Sequence, residues 1–254
     1  MAIVVVVLGL VVGALLSHIA EAVAAHRPLA RPKCPYCQAQ YAPLQWSATL
    51  SLVTGRGRCG QCRKRSRLPR LIGEVFTALT WGLLVWGNGL DTRVVFAMVA
   101  VLPLTMIMVT DLEVKRVPNL IILPAIGAIL VIGTLFGPAL PMLKTWVWWY
   151  ALVGAAVAFL VLRLFVSFGV AVFGPGAMGE GDITLATYTG AVVGFPLIII
   201  ALLLTVIFGG IGAFGVLVAR RGSLKTAIPY GPFIILGCAV TMLWGPVILQ
   251  WFLT

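Results

Sequence analysis

Two aspartates in this sequence lie where an apolar segment meets a polar loop. Asp111 ends an apolar run at the start of the stretch DLEVKRVPN, and Asp182 follows Gly179 and Gly181 in AMGEGDITL (residues 177–185). Two carboxylates that approach each other cannot both ionise easily, so one keeps a proton near neutral pH. The charged member can deprotonate a water while the neutral member donates a proton to a carbonyl oxygen. Such a pair would support the chemistry of an aspartic protease.

The residues around each aspartate suit such a site but also allow a purely structural interpretation. Gly179 and Gly181 let the backbone turn sharply and approach an extended substrate closely. Pro118 begins a new helix after the loop that follows Asp111, which limits the reach of that loop. In the alternative interpretation, each aspartate caps a helix or pairs with the basic residues at 115–116. Spacing alone does not decide between the two.

Four of the five cysteines form two C-x2-C pairs in the one long polar loop, residues 25–70. They are Cys34 and Cys37 in CPYC, and Cys59 and Cys62 in CGQC. Four thiolates complete the tetrahedral site of a structural zinc, with no open position left for catalysis. Two disulfides or a redox pair are the alternatives, and a reducing cytoplasmic loop disfavours them. The fifth cysteine, Cys238, is predicted to be a small buried core residue.

The composition indicates a chain that folds in a lipid bilayer. Of 254 residues, 61% are hydrophobic and only 10% are charged, which is more apolar surface than a soluble domain of this length buries. The apolar segments are long enough to cross the hydrocarbon layer about eight times. They lie near residues 2–24, 71–88, 93–111, 119–138, 146–168, 182–194, 196–219 and 230–252. The predicted fold class is an all-α polytopic membrane protein with a small cytoplasmic four-cysteine loop domain.

The basic residues predict the orientation of the chain. Most of the 18 Lys and Arg residues lie in loops 25–70, 111–118 and 220–229, and an excess of positive charge marks the cytoplasmic side. Both termini are then extracytoplasmic, while the cysteine loop and both aspartates are cytoplasmic. The net charge of +11 follows from this topology and from contact with anionic lipids, so nucleic-acid binding is not expected. Residues 1–24 form a retained first transmembrane helix, and residues 71–254 form the main membrane domain.

Four motifs occur in order along the chain: CPYC…CGQC, DLEVKRVPN, AMGEGDITL and, before the last apolar segment, IPYGPF. Together they resemble the bacterial type 4 prepilin peptidases, which are GxGD-type intramembrane aspartyl proteases. The resemblance implies that Asp111 and Asp182 are the catalytic pair of an endopeptidase in the bacterial cytoplasmic membrane. Its substrates would be prepilins or pseudopilins of type IV pili, type II secretion or competence systems, cut after a glycine at the cytoplasmic face. Family members with the zinc loop also methylate the new N-terminus from S-adenosylmethionine.

Two departures from the family pattern and one match bear on these roles. The family usually has a lysine two residues after the GxGD aspartate, and this chain has Thr184 there. The first apolar segment ends in GALLSHIAEAVAAHRP, with Ser17 and His18 where the family has an asparagine region. Glu74 matches a family glutamate and is a candidate for the methyl-transfer activity. Its alternative role is an ion pair with Arg70, one turn earlier.

Two other classes of function are considered beside the peptidase. The chain could be a catalytically inactive assembly or scaffold homologue, for which Thr184 is the hint. It could also be a transporter or proton relay whose cysteine loop forms a cytoplasmic gate, because intramembrane acids often mark ion pathways. Both aspartates are predicted at one membrane face and none at the midplane, which argues against a relay.

Overall fold

The computed structural model contains helices throughout the membrane part of the chain. It describes residues 1–25, 31–34, 37, 39–42, 45–55, 57–64, 68–136, 149–173, 179–219 and 229–253. The helices are α1 (Ala2–Ala24), α2 (Ala48–Val53), α3 (Leu68–Asn88), α4 (Thr92–Val114), α5 (Asn119–Phe136), α6 (Trp149–Phe173), α7 (Glu180–Val193), α8 (Leu197–Ala219) and α9 (Gly231–Leu253). Within these residues no β-strand occurs beyond an isolated antiparallel bridge between Lys33 and Gln40. The all-helical prediction is confirmed.

Six of the described helices, α1, α3, α4, α6, α8 and α9, are long and apolar enough to cross a membrane. The chain is therefore a multi-pass membrane protein, but the predicted number of eight spans is not confirmed. The described part of α5, Asn119–Ile132, is apolar but shorter, and α7 has only 14 residues. Residues 220–228 of the third basic loop lie outside the described residues, so the orientation of the chain stays a prediction.

Helix α7, which has 14 residues, lies inside the bundle. Nearly all of its side chains from Ile183 to Val193 are buried, and it packs against α5, α6, α8 and α9. The fully buried Tyr188 donates its hydroxyl proton to the Ala100 carbonyl oxygen of α4 at 2.8 Å. Segment 182–194, which the sequence predicted as a span, therefore corresponds to a short helix packed among other helices.

Helices α1, α6 and α8 expose large apolar side chains on their outward faces. Leu15 of α1, Phe168 of α6 and Phe214 of α8 are all well exposed, with many similar neighbours. An apolar surface of this extent is incompatible with water but suits the hydrocarbon of a bilayer. These outer helices thus contact lipid. The helices in the middle of the bundle are shielded from lipid and can carry polar groups at their ends.

Helix α1 lies close against α3 because glycines face the backbone of that helix. A methyl group built on Gly9 would lie 2.8 Å from the Ala78 Cα atom, and one built on Gly13 would lie 2.8 Å from the Glu74 Cα atom. Small residues at helix contacts are the usual means of close packing in membranes. This contact fixes the polar end of α1 beside the start of α3, where the cysteine loop joins the bundle.

Candidate active site and metal centre

Asp111 lies in the last turn of α4, close to where that helix ends. Lys115 caps the C-terminal end of α4 and has a left-handed φ of 53°. Its N–H donates to the Asp111 carbonyl oxygen at 3.0 Å. A short loop follows, and the Pro118 carbonyl oxygen accepts the N–H groups of Ile121 and Ile122 at the start of α5. The Asp111 side chain is only 5% exposed. The helix end therefore holds a buried carboxyl group beside a tight loop.

Asp182 is the third residue of α7 and closes the first turn of that helix. Its Oδ2 atom accepts the N–H of Gly179 at 3.3 Å, and its own N–H donates to the Gly179 carbonyl oxygen at 3.1 Å. A carboxylate at this position also interacts favourably with the helix dipole. The capping role considered from the sequence thus holds for Asp182. The side chain is 9% exposed, so the cap is also a buried acid.

The helix ends that carry the two carboxyl groups meet at one end of the bundle. The loop after α4 contacts the first turn of α7, since a methyl group built on Gly181 would lie 2.9 Å from the Val117 Cβ atom. The start of α9 contacts the end of α4, since a methyl group built on Gly231 would lie 2.5 Å from the Asp111 Oδ2 atom. Three helix ends therefore surround the pair.

The two glycines of the GEGD stretch differ in their surroundings. Gly181 has no room for a side chain, because the loop residue Val117 occupies the adjacent space. Gly179 has φ −89° and ψ 147°, an extended conformation open to any residue, and its surroundings are open. The sequence predicted that these glycines let a substrate approach the backbone closely. At Gly181 the structure shows that Val117 of the same chain makes such an approach. Residues 174–178, which precede this turn, lie outside the described residues.

Asp111 differs from the other buried acids in its hydrogen bonding. Its Oδ2 atom is buried and has no hydrogen-bond partner among the described groups. Leaving a buried polar atom without a partner costs about 1–3 kcal/mol, and such atoms mark sites with a further task. Arg70 pairs with Glu21, and Arg163 lies 3.8 Å from Glu180, so these two basic groups are engaged with other acids. The pair is thus able to accept a water molecule or to share a proton.

Thr184 occupies the position where the family that the motifs resemble usually has a lysine. Its Oγ1 atom donates to the Gly181 carbonyl oxygen of its own helix at 2.9 Å. The hydroxyl is therefore engaged within α7 and brings no positive charge to the pair. This departure changes the charge balance near Asp182 without disturbing the backbone that carries it.

The four cysteines of loop 25–70 form one cluster. Their Sγ atoms all lie within 4.8 Å of one another, and the Cys34–Cys62 and Cys37–Cys59 pairs are each 3.6 Å apart. Tetrahedral zinc with Zn–S bonds of about 2.3 Å requires sulfur atoms about 3.8 Å apart. No disulfide joins these cysteines. The cluster therefore fits a four-thiolate zinc ion.

Backbone hydrogen bonds close the chain on the far side of each C-x2-C pair. The N–H of Cys34 donates to the Ala39 carbonyl oxygen, and the N–H of Cys59 donates to that of Lys64, both at 2.8 Å. Backbone N–H groups of Cys62 and Gln61 lower the pKa of the Cys59 thiol. Hydrogen bonds of this kind stabilise the thiolate that a metal needs. The backbone around Cys59 therefore favours the thiolate form of that residue.

Glu74 is fully buried in α3 and accepts four hydrogen bonds from the cysteine loop. Its Oε2 atom receives the Ser47 hydroxyl and both the N–H and hydroxyl of Thr49, and its Oε1 atom receives the N–H of Ala48, all at 2.7 or 2.8 Å. These donors belong to the first turn of α2, which Ser47 also caps. Glu74 therefore docks the cysteine loop onto the membrane bundle.

The predicted alternative for Glu74, an ion pair with Arg70, is wrong. Arg70 instead forms a two-fold ion pair with Glu21 of α1 and lies over the Tyr41 ring at 5.6 Å. His18 of α1 contacts the Trp46 carbonyl oxygen through its Nε2 atom at 2.8 Å. The polar end of α1 therefore joins the same junction between the loop and α3, which spacing along one helix could not reveal.

Sequence reasoning found both aspartates and all four cysteines but missed the groups that hold them. Val117 and Gly231 enclose the acid pair, and Ser47 and Thr49 bind Glu74. Gly231 is the glycine of the IPYGPF motif, which was noted in the sequence without being assigned a role. This motif could have pointed to Gly231. No comparable pattern distinguishes Val117 from the other apolar loop residues.

Comparison with known proteins gives two family matches along the chain. Residues 98–214 match the type IV leader peptidase family, and residues 7–87 match the bacterial peptidase A24 N-terminal domain. The chain is similar to proteins named prepilin leader peptidase/N-methyltransferase. That of Legionella pneumophila is 29% identical over 89% of this chain and 76% of the relative. That of Bacillus subtilis (strain 168) is 27% identical over 88% of this chain and 85% of the relative. No solved structure matches the chain.

Proposed function

Because the chain belongs to the type IV leader peptidase family, we propose that it is a membrane aspartyl endopeptidase that removes the leader peptide of type IV prepilins or pseudopilins. Asp111 and Asp182 are its catalytic pair. Pro118, Gly179 and Gly181 support the backbone on either side of that pair. The family assignment agrees with the resemblance seen in the motifs, and it disfavours a transporter or proton relay.

The proposed reaction needs one ionised and one protonated carboxyl group. The ionised group takes a proton from water as the water oxygen attacks the scissile carbonyl carbon, and the protonated group donates its proton to the carbonyl oxygen. The carboxyl group that took the proton from water then gives it to the leaving nitrogen as the C–N bond breaks, and the other carboxylate takes a proton from a hydroxyl of the tetrahedral intermediate. The products are the leader carboxylic acid, which ionises in water, and a new N-terminal amine, and the pair again shares one proton. Burial of both acids strengthens these interactions.

One observation carries this proposal: the ends of two separate helices meet at one end of a membrane bundle, and each of these ends carries a buried acid. The unpartnered Asp111 Oδ2 atom supports a place for water or a proton between them. The exposed basic residues Lys115 and Arg116 beside Asp111 support a cytoplasmic location, as the positive-inside rule predicts. There the apolar helix of a prepilin would present its junction with the basic leader, where cleavage falls after a glycine.

A second activity, N-methylation of the new N-terminal amine, is favoured by the match of residues 7–87 and by the two-part names of the relatives. S-adenosylmethionine supplies the methyl group in such a reaction. Both oxygens of Glu74 already accept hydrogen bonds, so its role in methyl transfer is to hold the loop rather than to move a proton. The zinc bound by the four cysteines is structural, because four thiolates leave no open position.

Product mass tests both activities at once. The purified protein in detergent or liposomes is incubated with a prepilin and S-adenosylmethionine, and the pilin is weighed by mass spectrometry. We expect loss of the leader, followed by the gain of one methyl group on the mature N-terminus. An unprocessed prepilin would contradict the peptidase and favour the inactive scaffold. Cleavage without the added methyl group would contradict only the second activity.

A further inference from the structure

We propose that Gly231, the first residue of α9, is a positioning residue for Asp111. The two residues come from helices far apart in sequence, yet a methyl group built on Gly231 would lie 2.5 Å from the Asp111 Oδ2 atom and 3.1 Å from its Cγ atom. Real Cβ atoms do not approach other heavy atoms this closely. Any side chain at position 231 therefore displaces the Asp111 carboxyl group. The role rests on the proposed function, since it concerns the orientation of a catalytic acid.

The missing side chain of Gly231 is what permits this contact. Gly231 is the first residue of α9, so its position is set by the start of that helix. The space that a Cβ atom would fill is occupied by the Asp111 carboxyl group. The glycine therefore acts by leaving room for that group.

The neighbours of Gly231 keep the helix end in this position. Leu185 of α7 lies 3.4 Å from the site of the missing Cβ atom, so α9 is also in contact with the helix that carries Asp182. The preceding Tyr230 lies against Gly209 of α8, where a Cβ atom would meet its ring at 2.8 Å. The Tyr230 and Phe233 rings make an edge-to-face contact with centroids 6.1 Å apart. The start of α9 is therefore held between α4, α7 and α8.

A double-mutant cycle on thermal stability tests this contact without using peptidase activity. Gly231→Ala should lower the apparent Tm by about 4 °C in the presence of Asp111, because of overpacking against the carboxyl group. In the Asp111→Ala background, where those atoms are gone, the same substitution should leave Tm nearly unchanged. Equal shifts in both backgrounds would overturn the proposal. So would failure of both Gly231→Ala proteins to fold when Asp111→Ala alone folds.

Gly237→Ala is the matched control on the same helix. A methyl group there would lie 2.6 Å from Thr205 Oγ1 and 2.7 Å from the Ala201 carbonyl oxygen of α8, so it is equally crowded but away from the acids. We expect Gly237→Ala to lower Tm by the same amount whether residue 111 is Asp or Ala. A dependence on residue 111 equal to that of Gly231→Ala would show that the coupling is not specific, and would overturn the proposal.

Kinetics then separate positioning from general destabilisation. Gly231→Ala should lower kcat for leader cleavage by about 100-fold while changing KM less than about threefold, and should shift the pH profile of kcat. Gly237→Ala should retain the wild-type pH profile. A wild-type kcat and pH profile in Gly231→Ala would overturn the role in catalysis. Because the thermal cycle does not depend on cleavage, a protein without peptidase activity would still give a result on the contact.

Discussion

Asp111 and Glu74 are both buried carboxylates, yet their surroundings predict different roles. Glu74 accepts four hydrogen bonds, including one at each of its oxygens. The Oδ2 atom of Asp111 has no hydrogen-bond partner among the described groups. A carboxylate whose acceptors are filled stabilises structure, whereas one with an open acceptor is available to water or substrate. From this contrast we propose that Glu74 docks the loop and that Asp111 takes part in the chemistry.

Glu74→Gln should loosen the cysteine loop. Both oxygens of Glu74 accept hydrogen bonds, whereas the NH2 group of a glutamine amide is a donor. In Glu74→Gln this NH2 would therefore face at least one of the donors of Ser47, Ala48 and Thr49. Losing a hydrogen bond to a charged group costs about 2 kcal/mol. We expect faster proteolysis of residues 25–70 in detergent-solubilised protein, measured by the rate of fragment formation.

Glu180→Gln is the control for this prediction. It is the same substitution at a carboxylate that is 90% exposed and forms only a distant ion pair with Arg163 at 3.8 Å. Exposed pairs of this kind contribute little to stability. Proteolysis of the loop should proceed at the wild-type rate. If Glu74→Gln and wild type were cut equally fast, Glu74 would not be the docking residue.

At the scale of the secondary-structure elements, two features hold the cysteine loop in place. The cysteine cluster closes the two tight turns, and the first turn of α2 joins the loop to α3 through Glu74. We expect a metal ion at the cysteine cluster and docking through Glu74 to stabilise the loop together. The loop and the α1–α3 pair should therefore behave as one unit.

Cys59→Ser should remove the metal from this unit. A hydroxyl is a poor replacement for a zinc-bound thiolate, so bound zinc should fall from about one per chain to a small fraction of that value. Elemental analysis of the purified protein measures the content. Cys238→Ala, which changes a buried cysteine of α9 outside the cluster, should retain full zinc. Undiminished zinc in Cys59→Ser would contradict the four-thiolate site.

Sequence patterns predicted the helices of the membrane bundle but missed α2 in the cysteine loop, for physical reasons. Segment 2–24 coincides with α1 (Ala2–Ala24), because an outer helix is apolar on every face. The six-residue helix α2 was not predicted, since it depends on Ser47 as its cap and on a carboxylate from α3. Local patterns do not contain such distant partners. The same limit explains why the role of Glu74 required the structure.

At the scale of the whole molecule, the bundle brings together acids that the sequence keeps apart. The aspartate-containing ends of α4 and α7 and the start of α9 meet at one end of the bundle. The aspartates themselves were predictable, because acids are rare in so apolar a chain. Their contact with Gly231 and Val117 was not, since it depends on how the helices pack in three dimensions. Membrane helices with small residues at their contacts permit such close meetings.

The proposed peptidase requires Asp111 and Asp182 to act as one catalytic unit. Residues that act as a unit show losses that do not add, because either substitution alone removes the shared function. Asp91 offers a matched comparison, since it is an exposed N-cap of α4 at the opposite end of that helix. Asparagine caps a helix as well as aspartate does, so Asp91→Asn should be silent.

The most direct test measures leader cleavage of a prepilin by Asp111→Asn, Asp182→Asn, the double variant and Asp91→Asn, each in liposomes. Each single variant should lose about 10²–10⁴-fold in rate, as expected for loss of general acid–base catalysis. The double variant should lose no more than the worse single variant, and Asp91→Asn should cleave at the wild-type rate. Near-normal cleavage by either single variant, or independent losses that multiply in the double variant, would contradict the shared pair.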